Sequence, residues 1–423
     1  MAEFKASVDI RSSVRWGYLN RTFGEIGKAL ADPTIVFSLF VRQLGASNFL
    51  VGLLSTIRYG GWFLPQLAVA GRVQHRRRRG PVYVFAELSR CLGYLAIAAL
   101  ILAMPNSRLL LPIFFVLFGL SYLGHGVGSV PRFDVIGRAV PAGFRGTYFA
   151  RANLLAGVFG FGAGFLVQAL LRSGAHDPPI QRFAWLILLS VVFYIFAVGA
   201  FTRIRERDSI IAKEKARFGQ TLRGVPRMLR GNPAFRRLVT TLVLSDAARR
   251  VADPFYVIFA TEVLGSPVYV AGLYVSTLVV SKIIANLIWD PLSRRFGNRL
   301  ILQLATLATF GVPVLALGFA WFRPTGATAG IAFAGAYVLM GFRDSGKYVG
   351  KRAVFLDLIP EEGRPLHWGA LNTLLGAVTF LPMVAGTMID RMGFLITFGG
   401  VAAVALIALW SSLGVREVPA VSP

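Results

Sequence analysis

Residues 25–33, EIGKALADP, are answered about 220 residues later by residues 246–254, DAARRVADP. In each copy an acid, a base and a second acid stand three and then four residues apart: Glu25, Lys28 and Asp32 in the first, Asp246, Arg249 and Asp253 in the second. On a helix this spacing puts all three on one stripe. Each copy then ends in Asp-Pro. The matches continue in order on both sides. Leu44-Gly45 answers Leu264-Gly265, Gly52-Leu53 answers Gly272-Leu273, and Pro141, Arg145, Asn153 and Gly157 answer Pro360, Arg364, Asn372 and Gly376. An ordered series at shifts of 219 to 221 marks an internal duplication.

The sequence around the two stripes is strongly apolar. Of 423 residues 55% are hydrophobic and 15% charged, against about a quarter charged in a soluble domain. Stretches 152–171, 183–202, 300–322 and 392–415 contain no Asp, Glu, Lys or Arg, and each is long enough to cross a bilayer as one helix. They lack the alternation of barrel strands, so helices are expected. The reading is an all-α polytopic membrane protein of about twelve transmembrane helices in two six-helix repeats. The expected spans are 22–42, 48–70, 81–103, 109–131, 147–171, 182–203, 237–263, 268–290, 299–321, 327–350, 367–389 and 392–415. The first would fail a hydropathy test because it holds Glu25, Lys28 and Asp32; the repeat restores it. Since six spans separate the copies, they point the same way across the membrane, a parallel repeat. The expected domains are an N-terminal half 1–203, a basic cytoplasmic linker 204–236 and a C-terminal half 237–423.

A net charge of +25 would suit a nucleic-acid binder if its basic residues were spread evenly. They alternate between loops instead. One side collects Lys5, Arg11, Arg15, Arg21, Arg72, Arg76 to Arg79, Arg132, Arg138, Arg145, the 203–237 segment, Arg294, Arg295, Arg299, Lys351, Arg352 and Arg364; the other receives Arg42, Arg108, Arg172, Arg182, Arg323 and Arg391. That asymmetry places both termini in the cytoplasm, and no nucleic-acid partner is needed to explain the charge. The linker intersperses Phe218, Leu222, Val225, Met228 and Leu229 among its basic residues, which suits anchoring on an anionic membrane surface. The single cysteine, Cys91, lies in an apolar run and excludes an intramolecular disulfide. The start of the chain lacks the short apolar core of a secretory signal, so no cleavage is expected.

Two six-helix halves, a long linker, and basic short loops after the second and eighth spans resemble the major facilitator superfamily. The stretch from Gly45-Ala46-Ser47 through Val51-Gly52-Leu53-Leu54 to Pro65-Gln66-Leu67 looks like bacterial permeases of that superfamily, which implies a bacterial cytoplasmic (inner) membrane. The family's loop signature is degenerate in both copies. Gly71 is followed by His75 and Arg76 to Arg79 with no acid between, and the second loop keeps Arg294, Arg295, Gly297 and Arg299 but has Asp290 where a Gly belongs. The fourth span lacks the Arg of many proton-coupled members. The fifth, with Gly157, Gly160, Gly162 and Gly164, lacks the Pro of the drug-antiporter motif. The resemblance therefore carries the fold and weakens the case for drug antiport.

In the resembled family the first, fourth, seventh and tenth helices line a central cavity, and this chain concentrates its intramembrane charge there. A charge in hydrocarbon costs several kcal/mol unless paired or wetted, so such residues face the bundle interior. Asp32 and Asp253 are the expected substrate or ion site, joined by Arg58 on the second span and His125 on the fourth, where His125 aligns with Asp344. Glu25, Lys28, Asp246, Arg249, Arg343, Asp344 and Lys347 are expected to form ion pairs at a cytoplasmic gate. Two bland readings stand beside these. The pairs could be permanent packing, and Asp-Pro could merely cap or kink the helix. Arg58 could bind an anion or pair with Asp32, and His125 could be a packed polar residue.

No phosphate-binding loop, His-Glu-x-x-His or Cys pair occurs, so neither an enzyme, a metal site nor a cofactor is expected. The expected function is secondary active transport of a small solute by alternating access. A small excess of deep positive charge favours an anionic or zwitterionic solute, with a proton as a candidate coupling ion, membrane lipids as neighbours and a monomer as the unit. The alternatives are a membrane enzyme or lipid-handling protein on the same fold, and a non-transporting sensor.

Overall fold

A computed structural model of the chain describes residues 2–73, 77–141, 144–172, 179–206, 226, 228–359 and 364–415, and no strand occurs among them. The first span is longer and more broken than its expected limits of 22–42. Helix α1 runs Ala2–Leu30, the chain opens at residues 31–35, and α2 runs Val36–Gln43. The early start is helical despite its charges because Val14 packs with Tyr83, Val135, Ile136, Tyr148 and Phe201. The break follows from Pro33, which has no N–H to donate. The seventh span breaks at the matching place: α8 Pro233–Ala252, a 3-10 turn Asp253–Phe255, then α9 Tyr256–Glu262.

Between them lie α3 Asn48–Val73, α4 Gly80–Ala103, α5 Leu110–Ala139, α6 Arg145–Leu171 and α7 Gln181–Thr202. After the seventh span come α10 Ala271–Phe322, α11 Gly326–Leu358, α12 Arg364–Ala377 and α13 Leu381–Leu413, with a 3-10 turn Val378–Phe380 before α13. α10, at 52 residues, is long enough for two crossings, and α13, at 33, carries the end of one span and the whole of the next. They turn at Gly297 (φ 82°) and Gly393 (φ 80°), a backbone region that residues with a Cβ rarely enter. Counting each turn as a boundary gives about twelve spans. Among the described residues six helical segments are long and apolar enough to cross a membrane. The first, seventh and tenth spans, which carry the charged stripes, are not in that set. Phe85, Trp321, Phe322 and Trp410 are 74–82% exposed, as apolar side chains are when lipid tails cover them. The protein is an integral membrane protein.

The chain forms two compact units, Met1–Ala46 with Ile57–Ala216 and Val268–Ser276, and Ser47–Thr56 with Arg217–Pro267 and Thr277–Pro423. Each takes most of one repeat and a short stretch of the other. In the first unit Gly164 lies against Gly272 and Ser276, and the Ser276 hydroxyl donates to the Phe161 carbonyl at 2.9 Å. In the second unit Gly52 lies against the backbone of Pro382, and Gly386 against that of Asn48. Small residues permit such backbone approach between membrane helices. Most of the expected linker, residues 207–225 and 227, lies outside the described residues, as do His75 and Arg76 of the first loop.

Candidate functional site

In the second unit the stripe on α8 meets α11. Asp253 accepts both terminal nitrogens of Arg343, at 2.8 and 2.9 Å, in a bidentate pair whose side chains are 1% (Arg343) and 6% (Asp253) exposed. Arg343 also donates to Asp344 at 3.0 and 3.1 Å, and Lys282 reaches Asp344 at 3.2 Å. Further along the stripe Asp246 gathers Lys347 at 2.6 Å, Arg250 at 2.9 Å and Arg249 at 3.2 Å, and Arg249 spans to Asp253 at 3.5 Å. Arg250 is further held by the Thr379 hydroxyl at 2.9 Å. Three carboxylates thus face five cations, Lys282, Arg249, Arg250, Arg343 and Lys347. The cluster is positive overall, and its rim at Lys282 and Asp344 is about 30% exposed while Arg343 is sealed.

The first unit uses the same stripe differently. Asp32 turns its carboxylate onto its own chain: Oδ1 accepts from the backbone N–H of Thr34 at 2.9 Å and Ile35 at 3.2 Å, and from the Thr34 hydroxyl at 2.6 Å. It caps the segment after the break, as Asp does at helix starts. Asp32 has no cationic partner among the described residues, so Arg58 does not pair with it; the Arg58 guanidinium lies 5.1 Å from the Tyr59 ring centre. Glu25 pairs with Lys28 at 3.1 Å and Arg21 at 3.3 Å. His125 meets a residue off the stripe: its Nδ1 lies 2.9 Å from Oε1 of Glu87, which also pairs with Arg90. Arg90 in turn stacks on Tyr194, 3.6 Å from the ring centre.

The expected gate residues are therefore paired inside one repeat or the other: Glu25 with Lys28, and Asp246 with Lys347 and Arg249. In the second loop Asp290 pairs with Arg294 in the open, Arg295 lies 5.2 Å from the Phe296 ring centre, and Arg299 donates to the Leu413 carbonyl at 2.6 Å. Gly297 makes the turn, and Asn298 reaches Asp357 at 3.1 Å. The first loop draws its acids from elsewhere. Arg79 meets Asp134 at 3.1 Å, and Glu206 accepts from the backbone N–H of Arg79 at 2.5 Å and Gly80 at 2.9 Å.

Comparison with known proteins fits this geometry. The Major Facilitator Superfamily model matches residues 238–423. A bacterial homologue of the iron transporter ferroportin, in an inward-facing state, superposes with a TM-score of 0.65 at 16% identity, covering 95% of this chain and 98% of that one. The nucleoside transporter NupG gives 0.72 at 9%, covering 96% and 100%. A D-xylose-proton symporter gives 0.70 at 14%, covering 96% and 98%. The fold is that of a major facilitator superfamily transporter. A sequence search of curated proteins gives no match.

These solved neighbours are themselves transporters. Among the described residues no group of three or more His, Cys, Asp or Glu side chains is placed to hold a metal ion. Four residues that matter here give little signal in the sequence. Arg250 sits next to a stripe residue and breaks its spacing, Arg132 and Glu206 resemble ordinary loop charge, and Asp390 sits at a span end. Asp390 accepts from the backbone N–H of Asn48 at 3.1 Å and of Phe49 at 3.0 Å, and from the Asn48 amide at 2.8 Å, capping α3. Its signal is weak but present, since an acid at a span end has a ready use at another helix's N-terminus.

Proposed function

We propose that this chain is a secondary transporter that moves a small anionic or zwitterionic solute by alternating access across a bacterial cytoplasmic membrane, with both termini inside. The observation that carries the solute class is the cluster around Asp253 and Asp246, where five cations meet three carboxylates. A cationic solute would have to displace an arginine or lysine from every one of those acids. An anion meets surplus positive charge at the rim, where Lys282 is 30% exposed. Asp253 and Arg343 hold the floor of that site, and Asp246 with Lys347 and Arg249 are the pairs that change partner during the cycle.

Asp32 takes a different role. It is a buried carboxylate whose partners are neutral N–H and O–H donors, so no neighbouring cation cancels its charge and it is the acid left to hold a coupling ion or the cationic end of a zwitterion. The test is a thermal-stability screen of the purified protein against solutes of each charge class, beside Asp253→Asn, Lys282→Gln and Asp32→Asn. A true ligand at 100 times its Kd stabilises by about 2.7 kcal/mol. Stabilisation by an anionic or zwitterionic class, weakened in Lys282→Gln, supports the reading. Stabilisation confined to cations sinks it.

A further inference from the structure

We propose that the first unit holds a second, separate site: a cavity bounded by Asn20, Arg21, Glu25, Glu87, Arg90 and Arg132 that binds a small oxyanion, a phosphate- or carboxylate-sized group. The cavity measures about 140 Å³, room for a few water molecules or one compact anion. Its walls come from α1, α4, α5 and α7, all within one unit.

Charge is what selects the occupant. Four cations line the cavity, Arg21, Lys28, Arg90 and Arg132, against two carboxylates, Glu25 and Glu87. Arg21 and Lys28 share Glu25, and Arg90 takes Glu87. Arg132 is left without a carboxylate: its hydrogen bond is to the neutral Asn20 amide oxygen, at 3.2 Å, and its Nε is buried with no partner. Arg90, nine-tenths buried, also keeps an unpartnered Nε. Guanidinium charge left without a carboxylate in a half-sealed site carries a desolvation cost that an oxyanion in the cavity offsets, and the guanidinium fork matches phosphate and carboxylate oxygens. A metal ion would find both acids already taken by arginine or lysine. The site stands whether or not the second-unit cluster carries a solute.

The experiment is thermal unfolding of the purified full-length protein titrated with potassium phosphate against potassium chloride at equal ionic strength. The parent should show a saturable rise in Tm with phosphate beyond that with chloride. Arg132→Gln, which keeps a partner for Asn20, should weaken the apparent affinity about tenfold or more, the worth of a charged hydrogen bond. Arg21→Gln, at a side chain that is 38% exposed, should weaken it less and decides the question if Arg132→Gln does not fold. Lys282→Gln in the other unit should leave it unchanged. A phosphate response in delipidated protein assigns the anion to solution. An Arg132-dependent stabilisation in phosphatidylglycerol discs, absent in phosphatidylcholine discs, assigns it to a lipid headgroup. No saturable response in either setting, or an equal response in Arg132→Gln and Arg21→Gln to that of the parent, overturns the proposal.

Discussion

Asp32 and Asp253 occupy the same place in the duplicated sequence and do opposite things. Asp253 gives both oxygens to Arg343, while Asp32 folds back to cap Thr34 and Ile35. The difference is decided on the fourth and tenth spans. With His125 aligned to Asp344, the position before it is Gly124 in one copy and Arg343 in the other. A Cβ at Gly124 would meet the Ser89 hydroxyl at 2.7 Å and the Ala86 carbonyl at 3.2 Å, so α5 packs on α4 where α11 instead projects an arginine. Gly128 answers Lys347 in the same way, and a Cβ there would meet that of Ala86 at 3.1 Å. The first copy has glycines for close helix packing where the second has charged partners, and its Asp meets neutral donors. Duplication supplied two equal stripes; one pair of positions on a neighbouring helix made one an ion-pair cluster and the other a cap.

The largest effect that separates the halves is expected from Arg343→Met. It strands Asp253, only 6% exposed, without its bidentate partner, and breaking a buried pair from one side costs about 3–5 kcal/mol. Thermal or denaturant unfolding in detergent should show it, and adding Asp253→Asn should restore a good part of the loss. Asp390→Ala removes acceptors for three donors of Asn48 and Phe49 and should cost about 1–2 kcal/mol by the same measurement. Asp32→Ala should cost about 1 kcal/mol for a lost cap, and Asp32→Asn less again because the amide oxygen can still accept. Should Asp32→Asn prove as damaging as Asp253→Asn, the contrast between the halves is wrong. Asp290→Asn sits at the bottom of the scale, since its pair with Arg294 is more than half exposed and such pairs contribute about 0–1 kcal/mol.

The helical fold and the duplication were legible because both rest on patterns that survive without coordinates: charge-free runs of bilayer length, and residues matched in order at a shift of 219 to 221. Burial of the stripe acids Asp32, Asp246 and Asp253 was legible too, because a charge in an apolar run is driven to the interior. Their partners were not. Spacing along a helix suggests Glu25 with Lys28, but it cannot show that Arg343 reaches Asp253 on another helix while Asp32 meets Thr34 two residues on. Arg58 illustrates the limit, as nothing in the sequence distinguishes an arginine facing Asp32 from one lying by Tyr59. The limits of the first span also misled, because hydropathy ends at the first charged turn whereas the helix runs back to Ala2 through packing at Val14.

The most direct test of transport itself is flux into proteoliposomes loaded and unloaded with candidate solutes. Saturable counterflow of a small anion or zwitterion is expected, slowed in Lys282→Gln while that variant stays folded. Saturable flux of cations alone, or a parent protein that binds a solute in detergent yet moves none across a sealed bilayer, would contradict transport of an anionic or zwitterionic solute through this cluster.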